Sequence, residues 1–170
     1  MAMERKNLLA QLRRVHAEVD RVADGIAQRL GEQLKCGPGC NLCCQDDLTV
    51  FEIEALRIRD EFPELLRTKT PGPTGQCAFL DEAGRCRAYA ARPYVCRTQG
   101  LPLRWLVFDS GDWTEFRDIC EVNDDDFPLE TLAERDCFTL GPIEELLREL
   151  QAALASGQMT RVKLRDLFGE

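Results

Sequence analysis

Residues 36–44 read Cys36-Gly-Pro-Gly-Cys40-Asn-Leu-Cys43-Cys44, and this segment constrains the chain more than any other. The four sulfurs at i, i+4, i+7 and i+8 would share one face of a helix, where a free cysteine packs as a small hydrophobe. The intervening residues oppose that. Gly37 and Gly39 each disfavour helix by about 1 kcal/mol, and Pro38 in a helix interior by about 3 kcal/mol. A tight loop is expected, with backbone N–H groups turned toward sulfur, because such donors lower the cost of gathering thiolates. The chain has nine cysteines, an odd number that includes an adjacent pair, so a fully paired disulfide framework cannot absorb them. The first twenty residues hold no uncharged hydrophobic stretch of the kind a signal peptide needs. A soluble, cytoplasmic protein is therefore expected, in a compartment where disulfides rarely persist. Thiolate coordination of a metal is the explanation that remains.

The 170 residues suit one domain. It is expected to comprise an N-terminal amphipathic helix (1–34), a cysteine-rich metal-binding core (36–120) and a C-terminal helical part (121–170). With 22 basic and 30 acidic residues the net charge is −8, and that field repels phosphate, which argues against nucleic acid as a partner. No run of about 18 apolar residues occurs, so no membrane span is expected. The apolar fraction of 44% suffices for an ordinary core.

Hydrophobic periodicity places a long helix over 4–34, because Leu8, Leu12, Val15, Val19, Val22, Ile26 and Leu30 recur at steps of three and four. Its stripe can pack on the core or, as an alternative, on a protein partner or a second copy. Thr49-x-x-Glu52 has the reciprocal capping pattern and announces a second helix with Phe51, Ala55, Ile58 and Phe62 on one face, stopped or kinked by Pro63. Residues 68–76 are turn-rich. Two β-rich runs between Leu101 and Cys120 flank Asp109-Ser110-Gly111-Asp112 and predict a hairpin. The acidic run Asn123–Asp126 reads as a solvated loop. A last helix starts at Pro142, carries Glu144 and Glu145 at its positive end, and presents Ile143, Leu146, Leu147, Leu150 and Leu154. Gly157 is a candidate stop, and residues 160–168 a candidate short helix. The expected fold is helix-rich α+β, with terminal helices flanking an irregular centre with small hairpins.

Further cysteines follow. Cys77 and Cys86 flank a turn at Asp81-Glu82-Ala83-Gly84. With Leu80 opposite Arg85, Phe79 faces Cys86, and Cys77 lies diagonally from Cys86, within reach of one metal. Cys96 sits in Arg92-Pro93-Tyr94-Val95-Cys96-Arg97. Between Ala83 and Phe108 there are five arginines, no lysine and no acid. Four thiolates around Zn²⁺ or around a doubly positive four-iron cluster sum to −2, and arginines such as Arg92 and Arg97 can offset that charge without binding the metal. The rival reading is that they hold an anionic substrate.

The order Cys-x3-Cys-x2-Cys-Cys, Thr-x-x-Glu, Cys-x-Phe-Leu, Cys-x-x-Tyr and Arg-Pro-x-x-Cys-Arg resembles the CxxCxxCC (YkgJ-type) family, whose members are described as chelating zinc or iron. The resemblance is carried by Cys36, Cys40, Cys43, Cys44, Thr49, Glu52, Cys77, Phe79, Leu80, Cys86, Tyr89, Arg92, Pro93, Cys96 and Arg97. It extends to Cys120 and Asn123, where relatives often have a cysteine before an asparagine. Where many relatives reach a proline soon after the Cys-Arg pair, this chain inserts Thr98-Gln99-Gly100-Leu101 before Pro102. A related cluster occurs in the much longer flagellin lysine methylases. Eight candidate metal ligands result: Cys36, Cys40, Cys43, Cys44, Cys77, Cys86, Cys96 and Cys120. Cys137 is assigned to packing. Eight thiolates can form two four-thiolate sites, or one iron–sulfur cluster with spare thiols. Sterically, Cys43 and Cys44 do not suit one mononuclear ion.

No catalytic residue emerges. Cys36-x3-Cys40-x2-Cys43 also has radical S-adenosylmethionine spacing, but the remaining chain lacks the alternating strands and helices that chemistry requires. Hydrolytic zinc sites need a nearby base. The one histidine, His16, belongs to the long helix with a solvated or packing role, and Glu52 reads as a cap. The leading reading is a thiolate-rich scaffold or metal carrier holding zinc or an iron–sulfur cluster. The alternatives are an iron–sulfur enzyme component in redox or methyl-transfer chemistry, and an adaptor with a structural metal. Residues 68–100 have few apolar side chains with which to offset backbone entropy, whereas a metal can supply roughly 10 kcal/mol or more per site. Chelation is therefore expected to melt 36–100 before the helices.

Overall fold

The computed structural model describes residues 2–37, 39–124 and 127–169. Helix α1 spans Ala2–Leu30 and finishes in a 3₁₀ turn, Gly31–Gln33. It lies across the molecule with Leu8, Leu9, Leu12, Val19, Ala23, Ile26 and Leu30 buried, as the periodicity predicts, while Val15 and Val22 are only partly covered. The stripe packs on the chain's own core, with Leu12 and Val19 fully enclosed.

An irregular loop leads to strand β1 (Thr49–Phe51), helix α2 (Glu52–Glu61) and helix α3 (Pro63–Thr68), which takes Pro63 at its first turn. The expected capping box is absent. Thr49 lies in β1, its hydroxyl accepting from Arg161 Nε at 3.1 Å, and no side chain of the preceding segment caps α2. The first amides of α2 find acceptors from distant chain instead. The Glu52 N–H donates to the Thr160 carbonyl at 3.1 Å, and the Ile53 N–H to Gln151 Oε1 at 3.0 Å. The buried face of α2 is also wider than the expected stripe, for Ile53 through Ile58 are all buried. Ile53 and Leu56 join the core under α1, whereas Ala55 and Ile58 join a second core with Phe79, Leu80, Ala88, Leu164 and Leu167. A helix wedged between two cores has no solvent face to keep polar along its middle.

That second core corrects the expectation for residues 68–100, since Phe79, Leu80, Ala88 and Ala91 are buried within it. Helix α4 (Tyr94–Thr98) follows. The expected hairpin is present as β2 (Leu103–Asp109) and β3 (Asp112–Asp118), with Asp109 opposite Asp112. Its turn residues Ser110 (φ 52°) and Gly111 (φ 98°) are both left-handed, which matches strand twist in two-residue loops. Short helix α5 (Glu121–Asp124) comes next, then β4 (Phe138–Thr139), which pairs in parallel with β2. Helix α6 (Pro142–Leu154) buries Leu147, Leu150 and Gln151, while Leu146 is 43% exposed and lies off the core face. Residues 160–168, expected as a helix, form strand β5 (Arg161–Lys163) antiparallel to β1 and then a 3₁₀ turn. The fold is helix-rich α+β, with two small sheets and an irregular cysteine-bearing centre. None of the described helices is long and apolar enough to cross a membrane.

Candidate metal centre

Three stretches of chain bring cysteines together. The first is the loop after α1. Its turns are closed by Cys40 N–H to Gly37 O (3.0 Å) and Cys44 N–H to Asn41 O (2.9 Å), with Gly39 at φ 93°. Pro38 lies outside the described residues. Asn41 Nδ2 donates to Gly84 O at 3.3 Å and holds this loop against the second one. In the second stretch the Cys77 N–H donates to Cys44 O at 2.9 Å. Leu80 bridges Cys86, so the register is one residue off the expected Phe79–Cys86 pairing. The cause is a five-residue loop in place of four. The Asp81 N–H donates to Arg85 O at 2.9 Å, the Asp81 carboxylate accepts from the Ala83 and Arg85 amides, and Gly84 sits at φ 72°. The third stretch is α4, carrying Cys96, whose first amide (Tyr94) donates to the buried Glu54 carboxylate at 2.7 Å.

The result is a cavity of about 660 Å³ lined by Cys36, Cys40, Cys43, Cys44, Cys77, Cys86 and Cys96, with Phe79, Leu80, Ala88, Ile58 and Leu164 as apolar wall. Cys120 does not line it. It lies beside Cys36, because Asn123 ties the two segments together. Asn123 Oδ1 accepts from the Lys35 and Cys36 amides (2.6 and 3.2 Å), its Nδ2 donates to Gly100 O (2.9 Å), and its N–H donates to Cys120 O (2.8 Å). Asn123 is 1% exposed, which corrects its reading as part of a solvated acidic loop; Asp125 and Asp126 lie outside the described residues. Cys137 is buried and lines no part of the cavity.

Seven of the side chains at the cavity are thiols, and Tyr89 and Gln99 are its side chains that bear oxygen. Burial pushes Cys77 and Cys86 up, Cys96 up to about 12, and Cys36 up to about 11, each with neighbouring thiols adding to the rise. Cys43 moves the other way, because the Cys44 thiol donates to it; the same bond raises Cys44. Backbone N–H groups reach sulfur both in the loop of residues 36–44, where the Cys43 amide serves its own sulfur, and beyond it. The Phe79 amide serves Cys77 and the Ala88 amide serves Cys86, two residues beyond each cysteine. Among the described residues no three His, Cys, Asp or Glu side chains already form a metal-holding group. The sulfurs border a common cavity without a preformed coordination shell.

The arginines divide. Arg92 lines the cavity, stands 4.0 Å over the Tyr89 ring and donates to Asp20 Oδ1 at 3.1 Å. Arg97 is buried, pairs with the same Asp20 and donates to the Arg92 and Ala90 carbonyls at 2.8 and 2.9 Å. Arg87 donates to Thr70 and Ala78 carbonyls, and Arg104 to Glu115 and Glu134. Much of this local positive charge is therefore matched by carboxylates and carbonyls that the linear order does not show.

The profile of the CxxCxxCC family, described as "Putative zinc- or iron-chelating domain", matches residues 35–121, just over half the chain. The chain belongs to the CxxCxxCC family. No curated protein and no solved structure matches it. The CxxCxxCC segment begins one residue before Cys36, ends one after Cys120 and leaves out Cys137. The parts beyond it, α1, α6 and β5, are those that cover its two cores. Four residues at the site were not assigned a role by sequence reasoning. Asn41, Glu54 and Gly100 carry no motif that marks them, and Asn123 was visible only through the resemblance.

Proposed function

We propose that this CxxCxxCC chain is a thiolate-rich metal-binding protein of the cytoplasm. It holds zinc or an iron–sulfur cluster through Cys36, Cys40, Cys43, Cys44, Cys77, Cys86, Cys96 and Cys120, and serves as scaffold or metal carrier. The observation that supports this reading is the lining of one cavity by seven thiols from separate segments. An all-sulfur donor set suits Zn²⁺ or iron–sulfur clusters and not Mg²⁺ or Ca²⁺. The charges of Arg92 and Arg87 favour the Cys86 thiolate, against the larger opposing effect of burial. The test is anaerobic purification followed by metal and acid-labile sulfide analysis. At least one zinc, or iron with matching sulfide, per chain is expected, and the Cys43→Ser/Cys44→Ser double variant should lose metal. A chain that purifies without metal and takes up neither Zn²⁺ nor Co²⁺ overturns the reading.

A further inference from the structure

The ribbon of β2 and β3 keeps large apolar side chains in water. Leu106, Val107, Phe108, Trp113 and Phe116 are exposed, Phe108 at 58% and Trp113 at 67%. Both faces take part. On one, Trp105 stacks on Phe116 with ring centres 5.8 Å apart; on the other, Phe108 meets Trp113 at 5.1 Å. Each pair is directly opposed in the ladder, so the rings stiffen the ribbon without being covered by it. Two strands alone cannot hide both faces, and apolar surface of this kind marks an interaction site. The base of the ribbon is anchored. Strand β4 pairs with β2 at Leu103 and Arg104, and Arg117 donates to the Leu129 and Leu132 carbonyls at 2.8 and 2.9 Å. Strand β3 ends its sheet, so its outer edge has no strand partner among the described residues.

The charge around this apolar belt is acidic. Arg104 and Arg117, the cations of the ribbon, both pair with Glu115. Asp109, Asp112 and Asp118 have no ion pair among the described residues. By alternation Asp112, Thr114, Phe116 and Asp118 share one face of β3, so an unpaired carboxylate stands at each end of that face. A second copy related by a two-fold would add antiparallel to the same edge. The one register that pairs all seven residues sets Asp112 against Asp118 and Glu115 against its own equivalent, and directly opposed like charges are destabilising. The same carboxylates repel phosphate backbones and anionic lipid.

We propose that the outer edge of β3 receives an extended cationic segment of a protein partner as an added strand. Its basic side chains, six positions apart, meet Asp112 and Asp118, and the apolar ones between them cover Thr114 and Phe116. Main-chain hydrogen bonds along the free edge supply affinity, and the alternate side chains supply selectivity. No residue of the ribbon lines the cysteine cavity, so the proposal does not depend on metal being held there.

Trp105 and Trp113 are the two tryptophans of the chain, so the emission of the full-length protein reads this ribbon directly. The probe is the synthetic peptide KTVTVTK, blocked at both ends, with ETVTVTE as its charge-reversed control. KTVTVTK should shift the emission to the blue in a saturable way and slow hydrogen exchange along β3. It should bind about tenfold or more tightly than ETVTVTE, a preference that shrinks in high salt. The Asp112→Lys/Asp118→Lys variant should reverse that preference. Should it fail to fold through loss of the Asp118 contact with the Ile119 amide (2.9 Å), Asp112→Lys alone must weaken KTVTVTK. Absence of a shift with KTVTVTK, or equal binding of the two peptides, overturns the proposal. So does a blue shift on raising the protein concentration alone, which makes a second copy the occupant, or one produced by phosphatidylserine vesicles, which makes it a membrane.

Discussion

At single positions, space and conformation dictate which residues the centre tolerates. Gly100 has φ 85° and faces Cys36 Sγ at 2.7 Å from where a Cβ would stand, whereas Gly157 has φ 90° and open space around it. Alanine in the left-handed region costs about 1–2 kcal/mol. Gly157→Ala should therefore lose about that much stability, and Gly100→Ala more, because Cys36 must also move; urea unfolding of the two variants side by side measures the difference. His16 offers a pH test. It is 1% exposed, and Arg57 Nη1 lies 2.6 Å from its Nδ1. Its Nε2 stands 3.3 Å from Glu54 Oε1 without a hydrogen bond. Burial is the largest influence and lowers its pKa below the ordinary 6.5, despite the opposing pull of Glu54. A depressed value means the folded state favours neutral imidazole. The stability this contributes is complete above about pH 6.5 and is lost as pH falls below it. Thermal midpoints should drop between pH 7 and 5 in the wild type and drop less in His16→Gln; equal slopes would contradict the assignment.

Among the elements, α2 shows local signals giving way to long-range ones. Thr49-x-x-Glu52 has the right spacing for a capping box, yet Thr49 is held in β1 by pairing with β5, opposite Lys163. The N–H of Ile53 depends on Gln151, which is 0% exposed on α6. Replacing Gln151 with leucine leaves that amide without an acceptor, at about 1–3 kcal/mol. Hydrogen exchange at the first turn of α2 should quicken in that variant beyond the change in global stability. The cysteine hairpin makes a related point. Its turn residues were legible, but one added loop residue moved the pairing from Phe79–Cys86 to Leu80–Cys86. A slip of this kind depends on how Asp81 gathers the amides of its own loop and on Asn41 holding Gly84 from across the cavity.

Across the molecule, two hydrophobic cores carry the helices and sheets, and among its described residues the loop of 34–48 reaches them only through Leu34, Cys44 and Leu48, each partly buried. Its remaining stability must come from hydrogen bonds such as those of Asn123 and, in the reading argued above, from metal. Adding a chelator to the loaded protein should strip exchange protection from the Cys40 and Cys44 amides while the amides of α1 and α6 keep theirs. Unchanged protection throughout would mean that the loop does not rely on metal. The second core narrows the original expectation, because Phe79 and Leu80 give residues 77–91 apolar contacts that composition alone did not suggest.

Amino-acid order alone was enough for the long first helix, the Asp109–Asp112 turn, the last helix and the seven cysteines that line the cavity. These depend on periodicity, backbone propensity and donor chemistry acting over a few residues. Which sulfurs meet, and what neutralises the arginines, depended on contacts such as Asn123 with Cys36 and Asp20 with Arg97, spanning 87 and 77 positions. Such pairs form because folding the two cores brings remote segments within bonding distance, and no local preference encodes that approach.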